Sequence, residues 1–500
     1  MNSEPNGNAG AEVNVDVAII GAGMGGIAVA YYLRQRGHTD FVLLEAADDV
    51  GGTWRDNSYP GCACDIPSHL YSFSFAPNPD WSSTFSGQPE IWDYIRRSTD
   101  ELGLNDRVRL RHEVLGAAWD ADAAGWRIET SMGVYTARVL VSAAGLLSTP
   151  SVPEIPGLGV FQGPAFHSAE WDHDHDLTGR WVAVVGTGAS AIQFIPALQP
   201  GVGRLDVYQR APAWVLPRPD RRLTDLERRV YRRFPLAQRA MREALYYGRD
   251  MLAVPFAYEP RLMKLVEGRA RWHLRRAVAD PMLRKKLTPD YTLGCKRVLL
   301  SDDYYPAMTQ HNVEVIPDPI NRVTEHSIVT EAGIEREIDA IVFGTGFAAS
   351  EPEFAKRIRG QDGATLSEVW DGSPQAYVGA SVAGFPNLFM VLGPNTGLGH
   401  NSALDIIESG AAYIADAMDW MAVHRVGVVD VRAEEQARYN AEIQERLSRS
   451  VWQTGGCTSW YQDAKGRNTA LWPGFAAGYR HTTAHFHPAA YETRPRAAQT

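Results

Sequence analysis

Apolar residues in this chain fall into short β-branched runs that end on glycine, each followed by a stretch with helical spacing. Val15 to Ile20 runs into Gly21-Ala22-Gly23-Met24-Gly25-Gly26, and apolar positions then recur through Leu33. That order predicts strand, turn and helix. A second strand, Phe41 to Leu44, ends on Glu45, about 24 residues after Gly21. The same order returns later, with Trp181 to Val185 as the strand, Gly186-Thr187-Gly188-Ala189-Ser190-Ala191 as the turn and Ala191 to Leu198 as the start of a helix. Leu205 to Tyr208 is then the next strand, and Arg210 stands about 24 residues past Gly186.

Each glycine turn suits a dinucleotide. Gly21 and Gly23 let the backbone turn and approach a pyrophosphate, Gly26 admits close packing of the helix, and the helix N-terminus offers free N–H groups. An acid at Glu45 suits a ribose without a 2'-phosphate, as in FAD or NAD. In the second unit Thr187, Gly188 and Ser190 continue the turn from Gly186, and Arg210 replaces the acid, which is the signature of NADPH; a solvated surface charge is the alternative. The expected fold is therefore α/β, with two Rossmann-like dinucleotide-binding domains. Arg221 to Pro289 is rich in Arg, Leu and Ala with helical periodicity, and reads as a helical insertion in the second domain. A solvated arginine face explains its charge; membrane contact is the other option.

Later strands are expected at Val313 to Ile316, at Ile338 to Phe343 before Gly344-Thr345-Gly346-Phe347, and at Leu388 to Leu392 before Gly393-Pro394-Asn395-Thr396-Gly397, with a helix from Ser402 to about Met421. The expected domains are 15–148 with 335–500 for FAD, and 149–334 for NADPH with its insertion at about 221–289. Residues 1–14 read as a disordered lead-in.

At 500 residues the chain exceeds what one core serves. A net charge of −10 disfavours nucleic acid and leaves small molecules as the expected partners. No apolar run spans a membrane, no secretory start is present, and four cysteines suggest neither a disulfide framework nor a zinc site, so a cytoplasmic setting is expected. Cys62 and Cys64 read as structural or cofactor-lining. The two histidine clusters, His173 and His175 among aspartates and His481, His485 and His487 near the C-terminus, read as a charged loop and a polar tail, so no metal is expected.

Between the glycine turns lies Phe161-Gln162-Gly163-Pro164-Ala165-Phe166-His167-Ser168-Ala169-Glu170-Trp171-Asp172. It resembles the FxGxxxHxxxW fingerprint, followed by Pro or Asp, of the type I Baeyer–Villiger monooxygenases, matched at Phe161, Gly163, His167 and Trp171. A second pattern of that family, [AG]GxWxxxx[FY]P[GM]xxxD, is matched by Gly51-Gly52-Thr53-Trp54, Tyr59-Pro60-Gly61 and Asp65. The resemblance runs from about residue 14 to the end. GPNTGLGHNS from Gly393 and GRNTALWPG from Gly466 are more similar to the 4-hydroxyacetophenone monooxygenase branch than to the cyclohexanone branch. Three positions depart from the common pattern: Ser168 stands where many relatives carry Thr, Gly344 where an alanine is usual, and Ser58 where arginine is frequent.

The resemblance implies an enzyme with FAD and NADPH that inserts one oxygen atom of O2 beside a ketone carbonyl, through a peroxyflavin, giving an ester or lactone. It implies Arg297 as the catalytic cation, Asp65 as the carboxylate that orients it, Lys296 beside Arg210 on the 2'-phosphate, and Thr53, Trp54 and Tyr71 at the cofactor. Trp460 resembles a tryptophan that contacts NADP from a mobile loop, with core packing as the alternative, and His167 and Trp171 are implied as a relay between the halves. Oxygenation of amines or sulfides shares both cofactors and is the competing activity; a non-catalytic redox sensor is the competing class.

Overall fold

The computed structural model describes residues 12–349 and 351–496. Of the expected lead-in, residues 1–11 lie outside the described residues, and the strand Val13–Ile20 begins earlier than its apolar run because Val13 and Asn14 pair in register with Tyr135 and Thr136.

Two parallel-cored sheets organise the chain. The first, eight-stranded sheet has Val13–Ile20 at its centre, between Phe41–Leu44 and Gly133–Ser142, and Leu388–Met390 joins it on Gly133–Ser142. Val17, Ala18 and Ile19 are buried on both faces, which explains a continuous apolar run in place of an alternating one. The helix Met24–Gln35 covers one face and is itself covered by the long helix Ala403–Val423. The second sheet has five strands in the order Val313–Ile316, Arg204–Tyr208, Trp181–Val185, Ala340–Phe343 and Ala165–His167, all parallel.

That order corrects one expected boundary. The strand Ala340–Phe343 pairs with Val182–Val185 and with Ala165–His167, so it completes the second sheet and does not begin the chain's return to the first. The return comes afterwards, at Ile358–Arg359 and Leu388–Met390. An apolar run carries no label for the sheet it joins.

The expected insertion holds the helices Asp225–Arg233, Pro235–Asp250, Met263–Ala277 and Pro281–Lys286. Asp225–Arg233 starts on a capping box in which Thr224 and Glu227 satisfy each other's backbone N–H groups. Two arginines of the insertion pair with acids at the surface, Arg221 with Glu227 and Arg232 with Asp80.

The expectation of no disulfide is corrected too. Cys295 and Cys457 form one, with Cα atoms 6.1 Å apart across a sequence separation of 162. The turn after Thr454 folds onto the segment before Lys296, where Thr292 N–H donates to the Gly455 carbonyl at 2.9 Å. Cys62 and Cys64 are free and buried, and burial pushes the Cys62 thiol up to about 11.

Candidate active site

Both glycine turns have the shape their sequence predicts. A Cβ on Gly26 would lie 2.0 Å from the Gly21 carbonyl oxygen, and Gly21 and Gly186 adopt φ of 98° and 103°. Only glycine serves there. Each turn rests on the end of a neighbouring strand: Gly21 against the Ala143 carbonyl and Gly186 against that of Gly344. The helices that follow, Met24–Gln35 and Ala191–Leu198, have no side-chain cap, so their first N–H groups stay open to an anion. Gly23 faces Gly52 of the second sequence pattern, and a Cβ on Gly23 would lie 3.6 Å from the Gly52 Cα.

Glu45 is buried at the end of the second strand and accepts from Ala22 N–H at 2.8 Å; its other oxygen holds Arg55 at 2.9 Å. Arg210 is exposed at the equivalent place. Lys296 lies close to it: burial, then the Arg210 charge, lower the lysine's pKa, while its ammonium sits 5.0 Å from the centre of the Tyr291 ring. Thr187 donates to the Ala211 carbonyl at 3.2 Å, and Ser190 precedes the helix without capping it.

Asp65 and Arg297 meet across 232 residues in a two-point contact, Nε to Oδ2 and Nη2 to Oδ1, both at 2.7 Å. Burial pushes the Asp65 carboxyl up, but the guanidinium outweighs it and holds the group below the usual carboxylate range. Asp65 raises Arg297 in turn. Trp54 donates to the Tyr71 hydroxyl at 3.0 Å and meets that ring edge to face, while Thr53 is exposed at the start of the short helix Thr53–Asp56.

Several contacts went unread in the sequence. Gln193, on the helix after the second glycine turn, accepts from Tyr59 O–H at 3.0 Å and donates to the Ala63 carbonyl at 3.0 Å, joining that helix to the segment that ends at Asp65. Tyr461 is fully buried beside Arg297, and burial raises its hydroxyl to about 12 despite the nearby cation. Its neighbour Trp460 is exposed and lines an apolar cavity with Leu146, Pro394 and Thr469. The disulfide ties the segment of both residues to that of Lys296 and Arg297.

The fingerprint joins the same elements. His167 is buried against the Phe347 ring, accepting from Ala169 N–H at 3.1 Å; burial lowers its pKa. Trp171 packs on Phe166 and on Phe194, the helix residue after Gln193. Phe161 packs beneath the second sheet, and Gly163 passes so close to the Asp339 backbone that no side chain fits. The histidine clusters are held by acids or rings: His175 on Asp172 at 2.6 Å, His485 facing Asp416 at 3.9 Å, and His487 near Tyr377 at 3.1 Å. Among the described residues no helix is long and apolar enough to cross a membrane.

Two nucleotide cradles together with a half-buried carboxylate–guanidinium pair define a two-dinucleotide oxidoreductase. A model of the NAD(P)-binding Rossmann-like domain matches residues 19–87. Over 97% of its length the chain is 50% identical to a Baeyer–Villiger monooxygenase of Streptomyces coelicolor, of which 94% is covered. Its fold is similar to the crystal structure of cyclohexanone monooxygenase from Rhodococcus sp. Phi1 bound to NADP+ (TM-score 0.85, 28% identity, 97% of this chain and 100% of that one) and to OTEMO in complex with FAD and NADP (TM-score 0.87, 26% identity, 97% and 100%). The chain belongs to the Baeyer–Villiger monooxygenase family.

Proposed function

We propose that this protein uses FAD and NADPH to convert a ketone, O2, NADPH and a proton into an ester or lactone, water and NADP+. The observation that carries this reading is the two-point Asp65–Arg297 pair. Oxygen insertion beside a carbonyl builds negative charge on oxygen, and a permanently charged, rigid guanidinium is suited to hold it. Asp65 fixes the plane of that guanidinium and spends no proton on it, since its own carboxyl stays ionised.

The cradles fit these cofactors. The Gly21 turn, the uncapped helix at Met24 and Glu45 would hold the FAD diphosphate and ribose, with Trp54 and Tyr71 nearby; the Gly186 turn, Arg210 and Lys296 would hold NADPH. Bound flavin, once reduced, supplies the activation of O2. The protein's part is to keep Arg297 charged and oriented, to close the site with Trp460 and Tyr461, and to place both nucleotides. His167 and Trp171 then link the halves by packing, His167 buried against Phe347 and Trp171 on Phe166 and Phe194.

Aryl ketones are the first substrates to offer, because GPNTGLGHNS and GRNTALWPG resemble the 4-hydroxyacetophenone branch. With NADPH and 18O2, mass spectrometry of the product should find one labelled oxygen in an aryl ester. Oxygenation confined to tertiary amines and thioethers, or peroxide as the sole product, would overturn the reading.

Arg210 gives a second test. Arg210→Ala should weaken NADPH about 10–100-fold while NADH changes little, since a charge-assisted contact to the 2'-phosphate is removed. Equal losses for both nucleotides in steady-state kinetics would make Arg210 a surface charge.

A further inference from the structure

The helix Pro235–Asp250 presents one face to the segment that follows Asp65. Gln238 donates to the Asn78 carbonyl at 2.7 Å, and Arg242 donates to the carbonyls of Leu70 at 3.0 Å and Ser72 at 2.6 Å. Arg249 stands seven residues beyond Arg242, two turns along the same face, within reach of the charges of Asp65 and Arg297. The next residue, Asp250, fastens the helix end to the opposite wall: it accepts from Ala476 N–H at 2.7 Å and Ala477 N–H at 3.2 Å and faces His400 at 3.3 Å.

Arg249 is thus held between two anchored neighbours, yet its own Nε has no hydrogen-bond partner among the described residues. It is mostly enclosed, its Nε is shut off from solvent without a hydrogen-bond partner, and it forms no ion pair with a described carboxylate. Burial lowers its pKa, Asp65 opposes that shift, and Arg297 reinforces it. Asp65 is already gripped at both oxygens by Arg297. The site therefore holds two guanidiniums and one carboxylate. Arginine does not shed its proton to relieve this, and an enclosed cation without a counter-ion is costly. Arg242 on the same face shows the satisfied alternative, with three backbone carbonyls on one nitrogen.

We propose that Arg249 is a specificity residue that binds a carboxylate carried by the substrate, so that the preferred substrates are keto acids whose carbonyl is presented to Arg297. A planar guanidinium fork matches a carboxylate at two points. Nucleotide phosphates have their own places at the uncapped helices and at Arg210 and Lys296, none of them on the Pro235–Asp250 helix. The inference rests on the ketone-oxygenating reading above.

Binding to the oxidised, FAD-loaded protein tests it without turnover. Titration with 4-acetylbenzoate and with its methyl ester, followed by the flavin spectrum or by calorimetry, should give an acid at least ~10-fold tighter than the ester. Added salt should shrink that ratio only partly, because the contact is enclosed. Arg249→Gln should bring the ratio close to one, and Arg249→Lys, which keeps the charge but not the fork, should retain part of it; the lysine variant decides if the glutamine variant fails to load FAD. Equal binding of acid and ester by the wild type, or a loss in Arg249→Gln confined to NADP+ affinity, would overturn the assignment. Product analysis with NADPH and O2 separates the two readings. Oxygenation of the methyl ester without preference for the acid removes only the role of Arg249, whereas no oxygenated product from either compound removes the activity itself.

Discussion

Arg297→Ala should still bind FAD and accept hydride from NADPH, yet form ester at least ~10³-fold more slowly, with hydrogen peroxide released in its place. The substitution removes the one cation that Asp65 holds at two points, and with it the fixed donor for charge developing on oxygen. It also takes from Asp65 the largest influence opposing its burial and leaves Arg249 as the remaining cation acting on the carboxylate. Arg297→Lys should recover little, because an ammonium cannot reproduce the fork that Asp65 grips. Stopped-flow absorbance reads flavin reduction, and chromatography reads the ester. Ester formation within about tenfold of wild type would take Arg297 out of the chemistry.

The same pair sets a pH expectation. Asp65 has a depressed folded pKa, so its contribution to stability is complete above the ordinary carboxylate pKa of about 4 and is lost only as pH falls through the lower folded value. Arg297 is raised above an already high value. Neither group should place a limb in the rate profile between about pH 5 and pH 9.

Gly163→Ala should destabilise the fold by about 3 kcal/mol or more, although alanine is the smallest side chain available. Its Cβ would lie 2.1 Å from the Asp339 carbonyl oxygen. Asp339 cannot retreat, since its N–H donates to the Trp181 carbonyl at 2.7 Å and its carboxylate accepts from Trp181 N–H at 2.7 Å. Gly163 cannot retreat either, because Pro164 accepts from Ile341 N–H at 2.9 Å and the next residues are the edge strand Ala165–His167. Gly159 supplies the control: nothing lies within 4 Å of a Cβ there, and Gly159→Ala should melt near wild type. Thermal melts of the two variants decide the matter. A Gly163→Ala melting point within about 1 °C of wild type would show that the approach at Asp339 relaxes freely.

What the sequence made legible was local. The glycine turns, Glu45 and Arg210 stand within two dozen residues of one another in each unit, and backbone geometry dictates their spacing. Asp65 and Arg297 are 232 residues apart, so no periodicity joins them; resemblance to known motifs singles them out, and only the fold brings them together. Cys295 and Cys457 had neither aid, and their disulfide went unread. The strand Ala340–Phe343 is legible as a strand but its sheet is not, because partner choice depends on register that only the assembled fold supplies. Arg249 looked like one more charge on an arginine-rich helix. Its meaning comes from lacking a partner, which is a property of three dimensions.

Gln193 carries a consequence for anyone recombining such proteins. It belongs by sequence to the second nucleotide unit, but it clasps Tyr59 and Ala63, while a Cβ on Gly61 would lie 2.7 Å from its carbonyl oxygen. A chimera cut at the visible junction between the two units would bring a foreign helix against a native Tyr59–Ala63 segment, and the mismatch would be felt at Asp65, two residues further on. The exchangeable part therefore has a ragged edge: residues 59–63 must travel with the helix Ala191–Leu198, although more than a hundred residues of chain lie between them.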